Sequence, residues 1–307
     1  MDLSSINPAL LVASIMISAT PILLAAIGEM VVEKSGVLNL GVEGMMITGA
    51  VVGFAVAVTF TSPLLGFAAA ALAAAALSLS FAVLTQYLLS NQVATGLGLT
   101  LVGLGLSSLI GKPYEGMKAV TLPKLDIPIL SDLPILGTML FRHDIMVYVS
   151  LLLVAVVWAF LKYTRAGLIL RAVGESHDSA HALGYKVVRV RVLAILFGGA
   201  CAGLGGAYLS LVRVPQWTEG MTAGAGWIAL AIVVFASWRA GRVMIGAYLF
   251  GGVTVLQLNL QAAGAAVPVA LLSASPYLIT ILVLVTISAR GVHGAPASLG
   301  RPFHASS

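Results

Sequence analysis

The sequence predicts an all-α fold, a bundle of about nine membrane-spanning helices (eight to ten), from three observations. Of 307 residues, 60% are apolar and only 9% charged, against about 25% charged in soluble domains. Residues 44–111 contain no Asp, Glu, Lys, Arg or His. A helix crosses the hydrocarbon in roughly 20 residues, so these 68 residues cross about three times. The alternating short strands of a membrane barrel are too few for that architecture. The same composition excludes an ordinary soluble domain and a disordered chain.

The elements follow in order. A first apolar run covers 9–27. No basic residue lies in 1–8, and no small-residue cleavage pattern precedes Gly28-Glu29, so this run reads as an uncleaved span that starts outside. Thr61-Ser62-Pro63 and Ser90-Asn91-Gln92 divide the charge-free block into three. Further runs at 145–161, 192–212, 221–238, 243–262 and 269–289 bring the count to nine. The stretch 36–44 is a candidate broken or re-entrant helix, and the run after Gly224 is short. Together the spans form one domain, 1–307.

Charge sets the orientation. Six of the 16 basic residues, Lys162, Arg165, Arg171, Lys186, Arg189 and Arg191, fall within one 30-residue segment, which should therefore be cytoplasmic. By alternation Lys34, Arg239, Arg242, Arg290 and Arg301 join them, leaving Lys112, Lys118, Lys124, Arg142 and Arg213 outside. The C-terminus is then cytoplasmic. Because topology accounts for these charges, nucleic-acid binding is not expected. The sole cysteine, Cys201, forms no disulfide framework or zinc motif.

Two hydrophilic segments interrupt the spans. The segment 112–143 holds Pro113, Pro123, Pro128 and Pro134 and reads as an external loop. The segment 163–189 carries a short helix at about 174–184, with Ser176 able to cap it and Gly184 able to end it. His177 and His181 share a helical face, but no third ligand lies nearby on that face, so no metal site is assigned.

Polar residues inside apolar runs are costly and usually face the bundle interior or a water-filled path. Glu29 and Glu33 share a face, as do Asn39 and Glu43. Glu33 reads as interfacial, near Lys34. Glu43 is harder to place there, because the charge-free block begins just after it. Gln257, Asn259 and Gln261 cluster in one late run, where helix-to-helix bonding is the default role, and amides with Trp217 or Trp227 could also hold a polar heterocycle or sugar. Asn39, Glu43, Asn91 and Trp227 are the candidates for a translocation path. No phosphate loop is present: Gly105 and Gly111-Lys112 have five intervening residues, and Pro113 stands where Ser or Thr belongs. No catalytic constellation is found, so no catalytic residue, metal or cofactor is assigned to this chain.

Three blocks together carry a resemblance. Gly28-Glu29 with Ser35-Gly36-Val37-Leu38-Asn39-Leu40-Gly41-Val42-Glu43-Gly44-Met45-Met46 is the first. Arg171-Ala172-Val173-Gly174-Glu175 through Gly184, then Val190-Arg191 and Gly203-Leu204-Gly205-Gly206-Ala207-Tyr208, is the second. Glu219-Gly220-Met221-Thr222-Ala223-Gly224-Ala225-Gly226-Trp227 through Trp238-Arg239 is the third. In this order they resemble permease subunits of bacterial ABC importers of the branched-chain amino acid, ribose and nucleoside superfamily, the third block being similar to the nucleoside-type branch. Ser176-His177 stands where relatives usually carry Asn-Pro, and Ala240 where proline is common.

The resemblance implies alternating access in the cytoplasmic membrane. The implied partners are ABC ATPase subunits carrying ATP and Mg, a second permease that is a copy or a paralogue, and an extracytoplasmic binding protein. It implies a nucleoside substrate, with a simple sugar such as ribose or galactose as the alternative. A self-sufficient secondary transporter coupled through Glu29 or Glu43 is the rival from another class. Gly174, Glu175, Ser176, His177, Asp178, Ala180 and Gly184 are the residues expected to couple to the ATPase.

Overall fold

A computed structural model of the protein describes residues 8–125, 128, 131, 137–262, 268–288 and 294–304. The helices are α1 (Pro8–Lys34), α2 (Val42–Phe60), α3 (Pro63–Ala82), α4 (Gln92–Gly111), α5 (Ile145–Tyr163), α6 (Arg165–Glu175), α7 (His177–Ala182), α8 (Val187–Tyr208), α9 (Ala225–Phe235), α10 (Ala240–Ala262) and α11 (Val269–Ser288). Short π-helical turns extend α3 through Tyr87 and α8 through Arg213. Arg290 and much of 126–136 lie outside the described residues.

Among the described residues, seven helices are long and apolar enough to cross a membrane: α1 to α5, α8 and α10. Two of the nine runs read from the sequence form shorter apolar helices. In α11 the apolar stretch is Ala270–Val283. In the run 221–238 only α9 is helical, and its 11 residues rise about 16 Å, half of a hydrocarbon core of roughly 30 Å.

Packing fixes where the short helix sits. Past α1, the Leu38 N–H donates to Gln92 Oε1 at 2.8 Å, at the start of α4. Further along α4, Gly96 faces the backbone of Leu40 and Gly41, and Gly103 faces Gly44. Gly103 lies roughly 16 Å along α4 from Gln92. The chain 35–41 therefore climbs to half-depth without helical structure, and α2 begins there. Gly226 packs on the backbone of Glu43, so α9 begins at the same depth. From this level α2 runs away from the end that carries Lys34, and α9 runs toward it, where Trp238 Nε1 donates to Glu33 Oε2 at 2.5 Å.

The two broken segments belong to two related halves. Helix α1 packs on α10 as α8 packs on α3, α1 on α9 as α8 on α2, and α2 on α3 and α4 as α9 on α10 and α11. Since α8 runs opposite to α1, the halves α1–α4 and α8–α11 are arranged as an inverted repeat, an architecture that places discontinuous helices at mid-depth. Helices α5 to α7 join the halves.

Small residues permit this packing, since lipid supplies little hydrophobic force between helices. Gly49 lies against Gly203, Gly28 against Cys201, and Gly251 against Ala19. A Cβ at Gly206 would collide with the Met46 carbonyl oxygen, whereas one at Gly98 meets nothing within 4 Å. Gly206→Val should therefore prevent accumulation of folded protein in membranes, while Gly98→Val leaves it unchanged, as read by fluorescence-detected size exclusion. Equal yields of the two would contradict this packing.

Candidate functional site

Two sites emerge, one at the basic end and one at half-depth. At the basic end, Thr164 Oγ1 caps α6 by accepting from Gly167 N at 3.0 Å, and Ser176 Oγ caps α7 by accepting from Ser179 N at 3.2 Å. The short helix expected at about 174–184 is the six-residue α7, which Ser176 caps and separates from α6. Its two faces differ. Gly174, His177 and Ala180 are buried, Ala180 in a cluster with Val173, Val187 and Phe303. Glu175, Asp178, His181, Leu183 and Gly184 are exposed, and Ser176 is half-buried. Leu183, 75% exposed at the tip, offers an apolar contact. Gly184 adopts φ +85°, a left-handed conformation that L side chains disfavour.

A strap that the sequence did not reveal holds this element. The tail 294–304 returns to α6 and α7: Ser298 N donates to Gly174 O (2.9 Å), His177 N donates to Ser298 Oγ (3.3 Å), and Gly300 N donates to Gly36 O (3.1 Å). The Phe303 ring meets the rings of His177 and His181 edge-on at 5.4 and 5.2 Å. Beneath them Arg191, read from the sequence as a loop charge, is 0% exposed at the start of α8. It donates to Ser35 O (3.3 Å), Arg301 O (3.1 Å) and His177 Nδ1 (3.1 Å). An arginine only donates, so His177 Nδ1 accepts and the ring proton sits on Nε2, 3.5 Å from Asp178 Oδ1. The only sequence signal for the strap was a lone aromatic beyond the last span.

At half-depth Glu43 joins the two broken segments. Its Oε1 accepts from Thr222 Oγ1 at 2.5 Å and Gly224 N at 3.0 Å, and its Oε2 accepts from Gly226 N at 2.7 Å. Residue Gly224, the N-cap of α9, has no side chain to cap with; a carboxylate from α2 supplies the acceptors and complements the positive end of the helix dipole. Left-handed φ values bracket α9, at Gly220, Ala223 and Gly224 before it and at Ser237 and Trp238 after it. Such strain collects at functional sites. Nearby, Asn39 is fully buried and shapes the re-entrant turn by accepting from Gly41 N at 3.0 Å. Asn91 caps α4 through Ala94 N at 3.0 Å. Glu33 is 0% exposed rather than interfacial, because α9 and Trp238 close over it.

Beside this joint lies a cavity of about 630 Å³, walled by the end of α8, the segment 214–224, α9, α10 and α11. Its polar lining comprises Arg213, Thr218, Thr222, Thr254, Gln257 and Tyr277. An adjoining cavity of about 370 Å³ shares Ala223, Ile228, Phe250 and Tyr277 with it and adds Trp227. Of the expected path residues, only Trp227 lines either cavity; Glu43 meets the larger one through Thr222. Trp217 is instead buried against Gly111. A groove of about 410 Å³ among α5, α6 and α8 is lined by apolar residues alone, with nothing to orient a polar solute.

Family-level comparison decides what this architecture is. Residues 11–287 match the family described as branched-chain amino acid transport system / permease component. The chain belongs to this permease family. It is 42% identical over 87% of its length, and 88% of the relative's, to the putative glucose ABC transporter permease protein TsgC13 of Haloferax volcanii. It is 31% identical to the guanosine ABC transporter permease protein NupQ of Bacillus subtilis, over 96% of both chains. It is 30% identical to the nucleoside ABC transporter permease protein NupC of Lactococcus lactis, over 90% of this chain and 91% of that one. Haloferax volcanii and Bacillus subtilis each hold a second matching permease, TsgB13 and NupP. No solved structure matches the chain significantly.

The strap predicts a pH dependence. Burial, then the Arg191 guanidinium, push the His177 pKa below its ordinary value, with Asp178 acting the other way. The folded state therefore resists protonation. The stabilisation from neutral His177 is present above the ordinary value of about 6.5 and is lost as pH falls below it. A spin label at His304→Cys should gain mobility between pH 7.5 and 5.5, and adding His177→Gln should flatten that change.

Proposed function

We propose that the chain is a permease subunit of an ATP-driven ABC importer that moves nucleosides across the cytoplasmic membrane by alternating access. The observation that carries the substrate class is the pairing of the two cavities at the joint. The larger is polar, with Arg213, Thr254 and Gln257, and suits the hydroxyls and ring oxygen of a ribose. The smaller is aromatic, with Trp227, Phe250 and Tyr277, and suits the flat face of a base. Two of the similar permeases are named for guanosine and nucleosides. A glucose reading is favoured by the 42% identity to TsgC13.

In this reading the basic end is cytoplasmic and the N-terminus lies outside, as the positive-inside rule requires. The segment 214–224 and α9 together complete one broken crossing, which with α11 gives nine. ATP and Mg act on partner ATPase subunits that seat the exposed face of α6 and α7; this chain catalyses no chemistry. A second permease, paralogous as the TsgC13/TsgB13 and NupQ/NupP pairs suggest, completes the membrane core. An extracytoplasmic binding protein docks on 112–143. Glu43 spends both oxygens in holding α9, which argues against Glu43, though not against Glu29, as the coupling group of an ion-driven transporter.

Uptake of radiolabelled guanosine and glucose by cells with and without the chain tests this function. Loss of guanosine uptake that free ribose does not compete is expected. Loss of glucose uptake alone selects the sugar reading, and no loss of either overturns both. Two substitutions test coupling: Ala180→Asp buries a carboxylate among Val173, Val187 and Phe303, and Gly184→Pro cannot adopt φ +85°. Either should abolish uptake while the chain still inserts. At the joint, Glu43→Gln exchanges one acceptor oxygen for a donor amide that faces backbone N–H groups, a loss of about 1–3 kcal/mol. Uptake should slow roughly tenfold or change selectivity; wild-type kinetics would remove Glu43 from the transport machinery.

A further inference from the structure

Among the described residues, Arg213 is the one cationic group that lines the larger cavity, and no Asp or Glu lines it. It ends the π-helical turn Leu209–Arg213, in which Val214 N donates back to Leu209 O at 3.0 Å. Such turns inside or at the end of α-helices shift the register and recur at functional sites. The side chain is half-buried and makes no hydrogen bond or ion pair with any described residue. Among the described residues, Asp144 accepts from Tyr208, Met146 and Val147. Glu43 spends both oxygens on Thr222, Gly224 and Gly226, and Glu219 accepts from Ser108. The position is also unusual by topology: the other four basic residues on its side all fall in the hydrophilic segment 112–143, whereas Arg213 closes a span. Gln257 lines the same cavity, also without a hydrogen bond to any described residue.

A guanidinium carries five N–H donors and no acceptor, and no carboxylate among the described residues pairs with that of Arg213. We propose that Arg213 sets the chemistry of the cavity: it holds neutral or anionic solutes through their oxygen acceptors and repels cationic ones. This assignment rests on the transport reading above, and it adds a charge filter that acts after any outer binding protein has released its cargo.

The test uses the full transporter in membrane vesicles and has two arms. In the first, Thr218→Cys, at an exposed lining position, is modified by an anionic and by a cationic methanethiosulfonate of similar size; buried Cys201 stays in place. With Arg213 present, the anionic reagent should be favoured several-fold relative to its ratio with free thiol. Arg213→Gln should return the ratio to that of free thiol, and Arg213→Glu should invert it. A ratio indifferent to residue 213 overturns the proposal. In the second arm, maximal uptake of adenosine is compared with that of 5′-amino-5′-deoxyadenosine, and of glucose with glucosamine. The wild type should move each neutral solute at least tenfold faster than its cationic analogue, and Arg213→Glu should narrow or reverse that gap. A neutral solute that enters with no dependence of charge preference on residue 213 also overturns the filter. If neither neutral solute enters while the labelling ratio still follows residue 213, the transport reading fails and the charged site stands.

Discussion

The rest of the molecule depends on one carboxylate held at half-depth. A helix that starts inside a membrane leaves its first N–H groups without partners, and in hydrocarbon each such group costs several kcal/mol. Helix α9 starts there, and its cap, Gly224, has nothing to offer. Glu43 resolves this by accepting from Thr222, Gly224 and Gly226. In return the donors make a buried charge tolerable. The bond is therefore mutual, and it ties the first inverted half to the second at the level where the cavity begins.

The basic end is organised by a second buried charge. Arg191 gathers Ser35, His177 and the Arg301 carbonyl around the start of α8. Helix α8 packs along α1, α2 and α3, so a force on α6 and α7 has a continuous packed route to the joint. In the proposed cycle the tail makes α6 and α7 move as one body with α8, and the strained residues on either side of α9 supply the places where the chain can bend.

Much of this was legible in the residues. The charge-free block and the apolar runs located the helices, and the isolation of Glu43 beside that block marked it as unusual. Ser176 and Gly184 marked the ends of α7 because capping chemistry is local. What was not legible depends on contacts between distant segments. The run 221–238 counts as a span by hydropathy although it is short after Gly224, and left-handed turns at 220–224 leave only the 11 residues of α9 helical. Glu33 and Arg191 look like interfacial charges, and only the packing of Trp238 and of the tail buries them. Arg213, counted among topology charges, lines the cavity. Sequence supplied residue type and period, whereas the face each side chain presents was set by the fold.

In the proposed transport cycle the Glu43 joint between α2 and α9 is the element that responds to nucleotide on the partner ATPase. The most direct measurement is the distance between spin labels at Phe60→Cys, at the far end of α2, and Val234→Cys, at the end of α9, in the assembled transporter. Both positions are exposed. The account predicts a shift of several ångström between the nucleotide-free and ATP-trapped states, lost or blurred when Glu43→Gln is added. An identical, narrow distance distribution in both nucleotide states would contradict it.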